Sequence, residues 1–185
     1  MALTPSLMID LGSPASDFTL HDVVSNQEVS LEKIKSPVAT VIMFICNHCP
    51  YVKHINTQLV RLANDYIPKG ISFVAISSND YVSVPEDSPE NMRRLAGELK
   101  YPFPYLVDET QLIAKSYEAV CTPDFFIYDA GLKLVYRGQL DDSRPSNQIP
   151  SDGKDIRAAL DALLAGGKPS PRQRPSIGCN IKWKK

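Results

Sequence analysis

The 185-residue sequence lacks long apolar segments and an excess of either charge. No stretch approaches the ~20 apolar residues of a membrane-spanning helix. Residues Met1–Leu11 lack the basic region and apolar run of a secretion signal. A formal net charge of −1 gives no reason to expect binding to nucleic acid or to an anionic membrane surface. The sequence therefore favours a cytoplasmic protein that acts on a small-molecule or protein substrate.

Cysteine is also scarce, with four residues at Cys46, Cys49, Cys121 and Cys179. A chain of this length buries roughly 70% of its unfolded surface, so its core needs no disulfides. The first two cysteines form a C-x-x-C motif, which is used in thiol redox chemistry or as half of a zinc site. Because no second such pair or H-x-H pair lies at ligand spacing, redox chemistry is favoured over a zinc or structural role. No cofactor or metal is expected.

The apolar pattern predicts strands that alternate with helices. Two continuous β-branched runs are typical of strands buried on both faces: Val38–Ile45 and Ile71–Ser77. Each is followed by apolar residues at helical spacing, from Ile55 to Ile67 and from Met92 to Leu99, the latter after a Ser88 cap. The chain then predicts an antiparallel hairpin and a last helix: Phe125–Tyr128 with Leu132–Arg137, and Asp155–Ala165.

This order predicts an α/β protein in which helices flank a central mixed sheet, as in the thioredoxin fold. We expect residues 1–165 to form this domain, with an N-terminal extension before the first buried strand. Residues 166–185 are rich in proline, glycine and basic side chains and have no apolar period. They are predicted to form a tail without regular elements, packed on or near the domain.

The C-x-x-C motif lies between a strand and a helix, which suggests roles for its residues. Cys46 is predicted to start the helix, where unpaired N–H groups lower a thiol pKa, and to act as the nucleophile. Cys49 follows one turn later and would resolve the mixed disulfide. His48 is expected to stabilise the Cys46 thiolate and to contact the substrate.

Three segments resemble the thioredoxin-like redoxin superfamily of the AhpC/TSA type, which includes thioredoxins, cytochrome-maturation-type reductases and peroxiredoxins. They are Gly12–Leu20, Phe44–Pro50 and Cys121–Asp124, and with the elements between them they span residues 12–165. The resemblance implies a thiol–disulfide oxidoreductase that acts on a protein or small-molecule disulfide and is reduced again by an electron-donor reductase or thiol. It also implies that Thr122 and a cis Pro123 form the substrate-binding wall.

The sequence departs from thioredoxin at the group that accepts the nucleophile's proton. Thr40 stands where thioredoxins have a buried aspartate, and Ile45 replaces the usual tryptophan. Asp124 and Asp108 are the candidates to accept the proton, although each is also typical of a turn or cap. The tail segment Pro175–Trp183 resembles the end of a narrower group of uncharacterised bacterial thioredoxin-like proteins.

Two other functions stay open. A peroxiredoxin-like peroxidase needs a hydroxyl three residues before its reactive cysteine and a nearby arginine. Met43 and Cys46 occupy the two possible hydroxyl positions, and Arg137 is the candidate arginine. The fold could also serve as a non-catalytic redox sensor or binding module.

The remaining cysteines, Cys121 and Cys179, are predicted to form an accessory thiol pair near the active site. Cys121 lies two residues before Pro123. The tail carries three apolar residues that could anchor it to the domain: Ile177, Ile181 and Trp183. The alternatives are a Cys121 that only fills apolar space and a Cys179 without a redox role.

Overall fold

The computed structural model describes residues 3–185, and its elements alternate along the chain. In order they are β1 (Leu3–Pro5), β2 (Thr19–Asp22), β3 (Gln27–Ser30), α1 (Leu31–Ile34), β4 (Ala39–Phe44), α2 (Pro50–Tyr66), β5 (Ile71–Ser77), α3 (Pro89–Leu99), β6 (Tyr105–Val107), α4 (Leu112–Ser116), β7 (Cys121–Thr122), β8 (Asp124–Asp129), β9 (Leu134–Gly138), α5 (Lys154–Leu164) and β10 (Ile177–Asn180). Across these residues no helix has the length and apolarity needed to cross a bilayer.

The main sheet has seven strands in the order β3-β2-β6-β5-β4-β8-β9. The pairs β4–β5 and β5–β6 are parallel, and the remaining pairs are antiparallel. Helices α2, α3 and α5 contribute to the core on one face, and α1 and α4 to the core on the other. The predicted α/β class with a central mixed sheet and the thioredoxin order is confirmed.

Strand β4 is central because its side chains are apolar on both faces. Val41 and Met43 join the core under α2, whereas Ile42 and Phe44 join the opposite core. All six of its residues are buried, as expected for a strand covered by helices on both sides. The strand ends three residues before Asn47 and so delivers the cysteine motif to one edge of the sheet.

The predicted start signal of α3 and the predicted stop signal of α5 are confirmed. Ser88 caps α3 by accepting the Asn91 N–H at 3.3 Å, and Pro89 is its first residue. Helix α5 ends before Gly166, which has the positive φ of 75° that favours glycine. These helices therefore follow from local chemistry as well as from apolar spacing.

The tail does contain a regular element, and the prediction that it has none is wrong. Strand β10 lies between β1 and β7 in a separate three-stranded antiparallel sheet. Only four residues long and containing a glycine, it has no periodicity to detect, because backbone pairing rather than an apolar face defines it. Of the predicted anchors, Ile181 is buried, Ile177 is half-buried and Trp183 is exposed.

Gly178 fixes how closely β10 approaches β7. A Cβ atom at this position would lie 1.9 Å from the Thr122 carbonyl oxygen and 2.6 Å from its carbon. No side chain fits there, since the neighbouring atoms belong to backbone that cannot turn away. The tail therefore packs by backbone contact against the residue that precedes Pro123.

We predict that Gly178→Ala lowers the free energy of unfolding by about 1–3 kcal/mol, because the added methyl group forces β10 away from Thr122. Denaturant unfolding of the purified chain measures this change. Gly97→Ala is the matched control, because its Cβ would meet nothing within 4 Å on an exposed helix face. That control should gain about 0.5–1 kcal/mol. Unchanged stability of Gly178→Ala would contradict the seating of β10.

Candidate functional site

The cysteine motif forms the loop between β4 and α2. Helix α2 begins at Pro50, and Cys49 is its N-cap residue. The prediction that Cys46 starts the helix is therefore wrong, and the cysteine at the helix N-terminus is Cys49. Proline favours the first helical position because its fixed φ suits that turn and its missing N–H needs no partner there.

The Cys46 thiol is enclosed by side chains from two loops. Its Sγ lies 3.3 Å from Thr122 Oγ1 and 3.6 Å from His48 Nδ1. Cys46 is 1% exposed and Cys49 is 0% exposed. The most accessible neighbour is His48, whose side chain is 10% exposed. Of the four motif residues, His48 is therefore the one that solvent reaches most.

Cys49 lies between two other thiols. Besides Cys46, its Sγ contacts the Sγ of Cys179 at 2.9 Å and the Thr122 carbonyl oxygen at 3.1 Å. All four cysteines are reduced thiols in this structure. Cys179 comes from β10, where its Cα pairs with Thr122 of β7. The sequence did not predict this contact, because 130 residues separate the two cysteines.

The contacts around the thiols favour ionisation of Cys49. Hydrogen bonds from the Cys46 thiol, the Cys179 thiol and the backbone N–H groups of Val52 and Cys179 lower the pKa of Cys49 despite its burial. In its neutral form the Cys49 thiol donates to the Thr122 carbonyl at 3.1 Å. Burial, the bond to Cys49 and the charge of Asp87 raise the pKa of Cys46. Burial and the contact with Cys49 raise the pKa of Cys179 to about 12.

His48 is held by a carboxylate that the sequence analysis missed. Asp87 Oδ2 lies 2.6 Å from His48 Nδ1 and accepts the Asn79 side-chain amide at 2.8 Å. Asp87 Oδ1 accepts the backbone N–H groups of Asn47 at 2.7 Å and His48 at 3.1 Å. Burial raises the pKa of Asp87, but the bonds from His48 and Asn79 outweigh it and lower that pKa. Asp87 thus fixes the backbone and the histidine of the motif.

Nothing in the local sequence distinguishes Asp87 from an ordinary acidic residue near a helix start. It ends a short 3-10 turn, Pro85–Asp87, directly before the Ser88 cap of α3. Acidic residues are common at such positions because the helix N-terminus favours negative charge. Only the fold shows that its carboxylate turns 39 residues back along the chain to the motif.

Cys46, His48 and Asp87 could also bind a metal ion. One donor atom from each lies within 4.8 Å of the others. A thiolate, an imidazole and a carboxylate are suitable ligands for zinc. Contacts of His48 Nδ1 with Cys46 and Asp87 already join the three groups without a metal, whereas His48 Nε2 is buried with no hydrogen-bond partner among the described residues.

The Thr122–Pro123 peptide bond is cis, as the resemblance implies. Thr122 contacts both motif cysteines, through its hydroxyl and its carbonyl oxygen. Its backbone is already paired with β10, and Ser176 Oγ donates to the Pro123 carbonyl at 2.7 Å. A substrate strand therefore cannot pair with this edge while β10 is in place.

The accessory pair predicted for Cys121 and Cys179 takes a different form. The sulfur partner of Cys179 is Cys49, whereas the Cys121 thiol donates to the Pro123 carbonyl at 3.7 Å. Burial raises the pKa of Cys121, and the charges of Asp124 and Cys49 raise it further. Cys121 therefore has the features of a buried, unreactive thiol.

The two aspartates proposed as proton acceptors lie elsewhere. Asp108 accepts Ser78 Oγ at 2.8 Å and the Ala114 N–H at 2.9 Å, so it ties a loop to α4. Asp124 pairs in register with Phe44, which belongs to the core opposite the cysteines. Burial raises the pKa of Asp124 well above its usual range. Neither carboxylate has a hydrogen bond to a motif thiol among the described residues.

Arg137 is not placed to serve the cysteines. Its register partner on β8 is Phe126, which joins the core on the face away from Cys46. Its guanidinium donates to Gln173 Oε1 at 2.8 Å. By contrast, the hydroxyl that a peroxidase needs, which is missing at the expected sequence spacing, is supplied to Cys46 by Thr122.

A mixed sheet that brings a cis-proline loop against a C-x-x-C pair defines a thioredoxin-like protein. A model described as the AhpC/TSA family matches residues 11–137, and the chain belongs to this family. No curated protein matches the chain significantly.

Solved structures with high identity cover the whole fold. An uncharacterized conserved protein from Geobacillus kaustophilus is 64% identical, with a TM-score of 0.98 over 100% of this chain and 97% of that chain. A hypothetical protein from Sinorhizobium meliloti 1021 is 45% identical, with a TM-score of 0.95 over 98% of each chain. A putative thiol:disulfide interchange protein DsbE from Chlorobium tepidum is 17% identical, with a TM-score of 0.66 over 84% of this chain and 99% of that chain, which shows the fold alone.

We predict that one thiol of the reduced protein has a pKa well below the ordinary cysteine value of about 8.5. We expect this thiol to be Cys49. Titration of the ultraviolet thiolate absorbance measures the step. Cys49→Ser should remove it, and Cys46→Ala should raise its pKa because a hydrogen-bond donor is lost. Cys121→Ser should leave it unchanged. A step that survives in Cys49→Ser and disappears in Cys46→Ala would place the thiolate on Cys46 instead.

We predict that Asp87→Asn lowers the free energy of unfolding by about 1–3 kcal/mol at neutral pH, because its new amide group faces the donors of His48 and Asn79. Since folding lowers the pKa of Asp87, its stabilising charge is present above the unfolded pKa of about 3.9 and is lost as the pH falls through the folded pKa. Denaturant unfolding at neutral and acidic pH should show this difference shrinking in acid.

The matched control is Glu86→Gln, which removes the same charge from the exposed neighbouring side chain. It should change the stability by less than about 0.5 kcal/mol. Equal effects of the two substitutions would contradict the anchoring role of Asp87.

Proposed function

We propose that this protein is a thiol–disulfide oxidoreductase that uses Cys46 and Cys49 as a dithiol/disulfide pair. The observation that carries the proposal is that Thr122 contacts both thiols, because its hydroxyl lies 3.3 Å from Cys46 Sγ and its carbonyl oxygen lies 3.1 Å from Cys49 Sγ. Two sulfurs held in this way can close to a disulfide with little movement of the chain. The substrate would be a disulfide, and a separate thiol or reductase would return the two electrons.

Cys46 is the better candidate for attack on the substrate. It adjoins His48, the most accessible side chain of the motif, whereas Cys49 is surrounded by Cys46, Cys179 and Thr122. Cys49 then acts as the resolving thiol. The low pKa of Cys49 suits this role, because resolution requires a thiolate that attacks without waiting for a base.

Proton transfer between Cys46 and Cys49 takes the place of the buried aspartate that accepts the nucleophile's proton in thioredoxins. The Cys46 thiol passes its proton to the Cys49 thiolate and attacks the substrate R–S–S–R′, giving Cys46–S–S–R and R′S⁻. The departing R′S⁻ takes the proton from Cys49, which becomes a thiolate again. Cys49 then attacks the Cys46 sulfur, which releases RS⁻ and leaves the Cys46–Cys49 disulfide.

Access to the pair favours a small disulfide or an exposed protein disulfide over an extended peptide. Strand β10 occupies the backbone edge of β7, where an added strand would otherwise bind. An open groove of about 370 Å³ adjoins the motif at Asn47 and is also lined by Lys53 and Arg94. Glu86 lines the same groove and Arg94 is paired with Glu98 at 2.9 Å, so the charges of the groove select neither an anionic nor a cationic disulfide.

A peroxidase is the second candidate, and one observation favours it. Thr122 Oγ1 lies 3.3 Å from Cys46 Sγ, so a peroxide oxygen at Cys46 would have a hydroxyl beside it. The cation that would stabilise the leaving oxygen is not Arg137, which lies on the other face. We therefore expect weak peroxide turnover compared with disulfide exchange.

We predict catalysed reduction of a protein or small-molecule disulfide, measured as thiol release in the presence of a recycling dithiol. Cys46→Ser should lower this rate by several orders of magnitude, because the attacking sulfur is removed. Cys49→Ser should trap a mixed disulfide on Cys46 that mass spectrometry can identify. Cys121→Ser serves as the control and should retain the rate.

Peroxide turnover by the same samples separates the two candidate functions. The oxidoreductase would be rejected in favour of the peroxidase if two results were found together. These are a second-order rate constant with hydrogen peroxide of about 10⁷ M⁻¹s⁻¹ and no catalysed disulfide reduction. Absence of both activities would favour the sensor or binding module.

A further inference from the structure

We propose that Cys179 is a third redox-active cysteine, which takes the disulfide from Cys46 by forming a Cys49–Cys179 bond. This inference rests on the proposed function, since it begins from the Cys46–Cys49 disulfide. Cys49 Sγ contacts Cys179 Sγ at 2.9 Å, and the same Thr122 residue contacts both Cys49 and Cys46. Cys49 is therefore the middle sulfur of three and can exchange partners without leaving its place.

The fold holds Cys179 in this position from both sides of its strand. Thr4 of β1 and Thr122 of β7 flank β10 at Gly178 and Cys179, respectively. Beyond the strand, the Ile181 N–H donates to the Val120 carbonyl at 3.0 Å, and the Lys182 N–H donates to Asn79 Oδ1 at 2.8 Å. These bonds hold the tail in place, so the contact between the sulfurs of Cys179 and Cys49 is part of the fold.

Gly178 makes the approach possible. Its missing side chain lets β10 lie against the Thr122 carbonyl group, the same group that contacts Cys49. The next residue in the strand is Cys179, whose side chain joins the core that contains Cys46 and Cys49. The glycine and the cysteine thus work together, because the first sets the distance and the second places the sulfur.

The exchange step balances within the chain. The Cys179 sulfur attacks Cys49 Sγ of the Cys46–Cys49 disulfide, so the Cys49–Cys179 bond forms as the Cys46–Cys49 bond breaks. Cys46 leaves as a thiolate and takes up the proton that Cys179 gives up. No electrons are gained or lost overall, since one disulfide and one thiol are present before and after.

The product differs from the starting state in two ways. Cys46 is a thiol again and is able to attack a further substrate disulfide. The tail is tied covalently to the N-terminus of α2, so β10 cannot leave the edge of β7. The oxidised pair would thus be the buried Cys49–Cys179 disulfide, and Cys46 would again be available as the nucleophile.

Disulfide mapping tests the proposal on the full-length protein. Wild-type and variant chains are equilibrated with oxidised glutathione, quenched in acid, alkylated and digested for mass spectrometry. The Cys46→Ser variant should form a Cys49–Cys179 disulfide nearly completely. The wild type should contain both this disulfide and Cys46–Cys49, and Cys121→Ser should match the wild type.

Two further variants separate the outcomes. Cys179→Ser should form only Cys46–Cys49, and if it forms none, the proposed function fails. If Cys46→Ser leaves Cys49 as a thiol or joined to glutathione, while Cys179→Ser forms its disulfide, the third-cysteine proposal alone is wrong. Adding Gly178→Ala to Cys46→Ser should cause loss of the Cys49–Cys179 disulfide, whereas adding Gly97→Ala should not.

Discussion

The contact between the Thr122 carbonyl group and Gly178 holds the tail against the cis-proline loop, and the thiol site depends on it. The Thr122 carbonyl oxygen also contacts Cys49, and the Thr122 hydroxyl contacts Cys46. A shift of this residue would therefore move the tail strand and the surroundings of both thiols together. Since the Thr122 carbonyl group and Pro123 Cδ leave no room for a methyl group, the arrangement is fixed by shape rather than by the strength of one hydrogen bond.

The sequence predicts the parts of the fold that have a repeating apolar pattern or a cap. Strand β5 has the predicted bounds, and α3 begins at the predicted Ser88 cap. Strand β10 could not be found in this way, because its four residues include a glycine and its partners are backbone groups distant in sequence. Long-range backbone pairing leaves no periodicity in a strand of four residues.

The site shows the same division between local and distant signals. The C-x-x-C motif is visible in the sequence, and the family resemblance implies the cis Pro123. Pro50 marks where α2 begins, so the sequence also contains the signal that places Cys49 at the N-cap. Asp87 and Cys179 have no such signal, because each reaches the motif only through the fold. The prediction that Cys46 starts the helix is wrong because it includes the whole motif in the helix, whereas Pro50 is the first helical residue.

Three neighbouring thiols give this site a means to move protons and electrons through the same contacts. Sulfurs held in contact react at effective concentrations of about 10⁵ M or more, so a dilute external thiol competes poorly for Cys49. Which disulfide is preferred then depends on which leaving thiolate its surroundings stabilise better. Asp87 disfavours a Cys46 thiolate, whereas a proton from Cys179 removes that penalty as the bond shifts. In the proposed mechanism, proton exchange among the sulfurs takes the place of the aspartate that thioredoxins use.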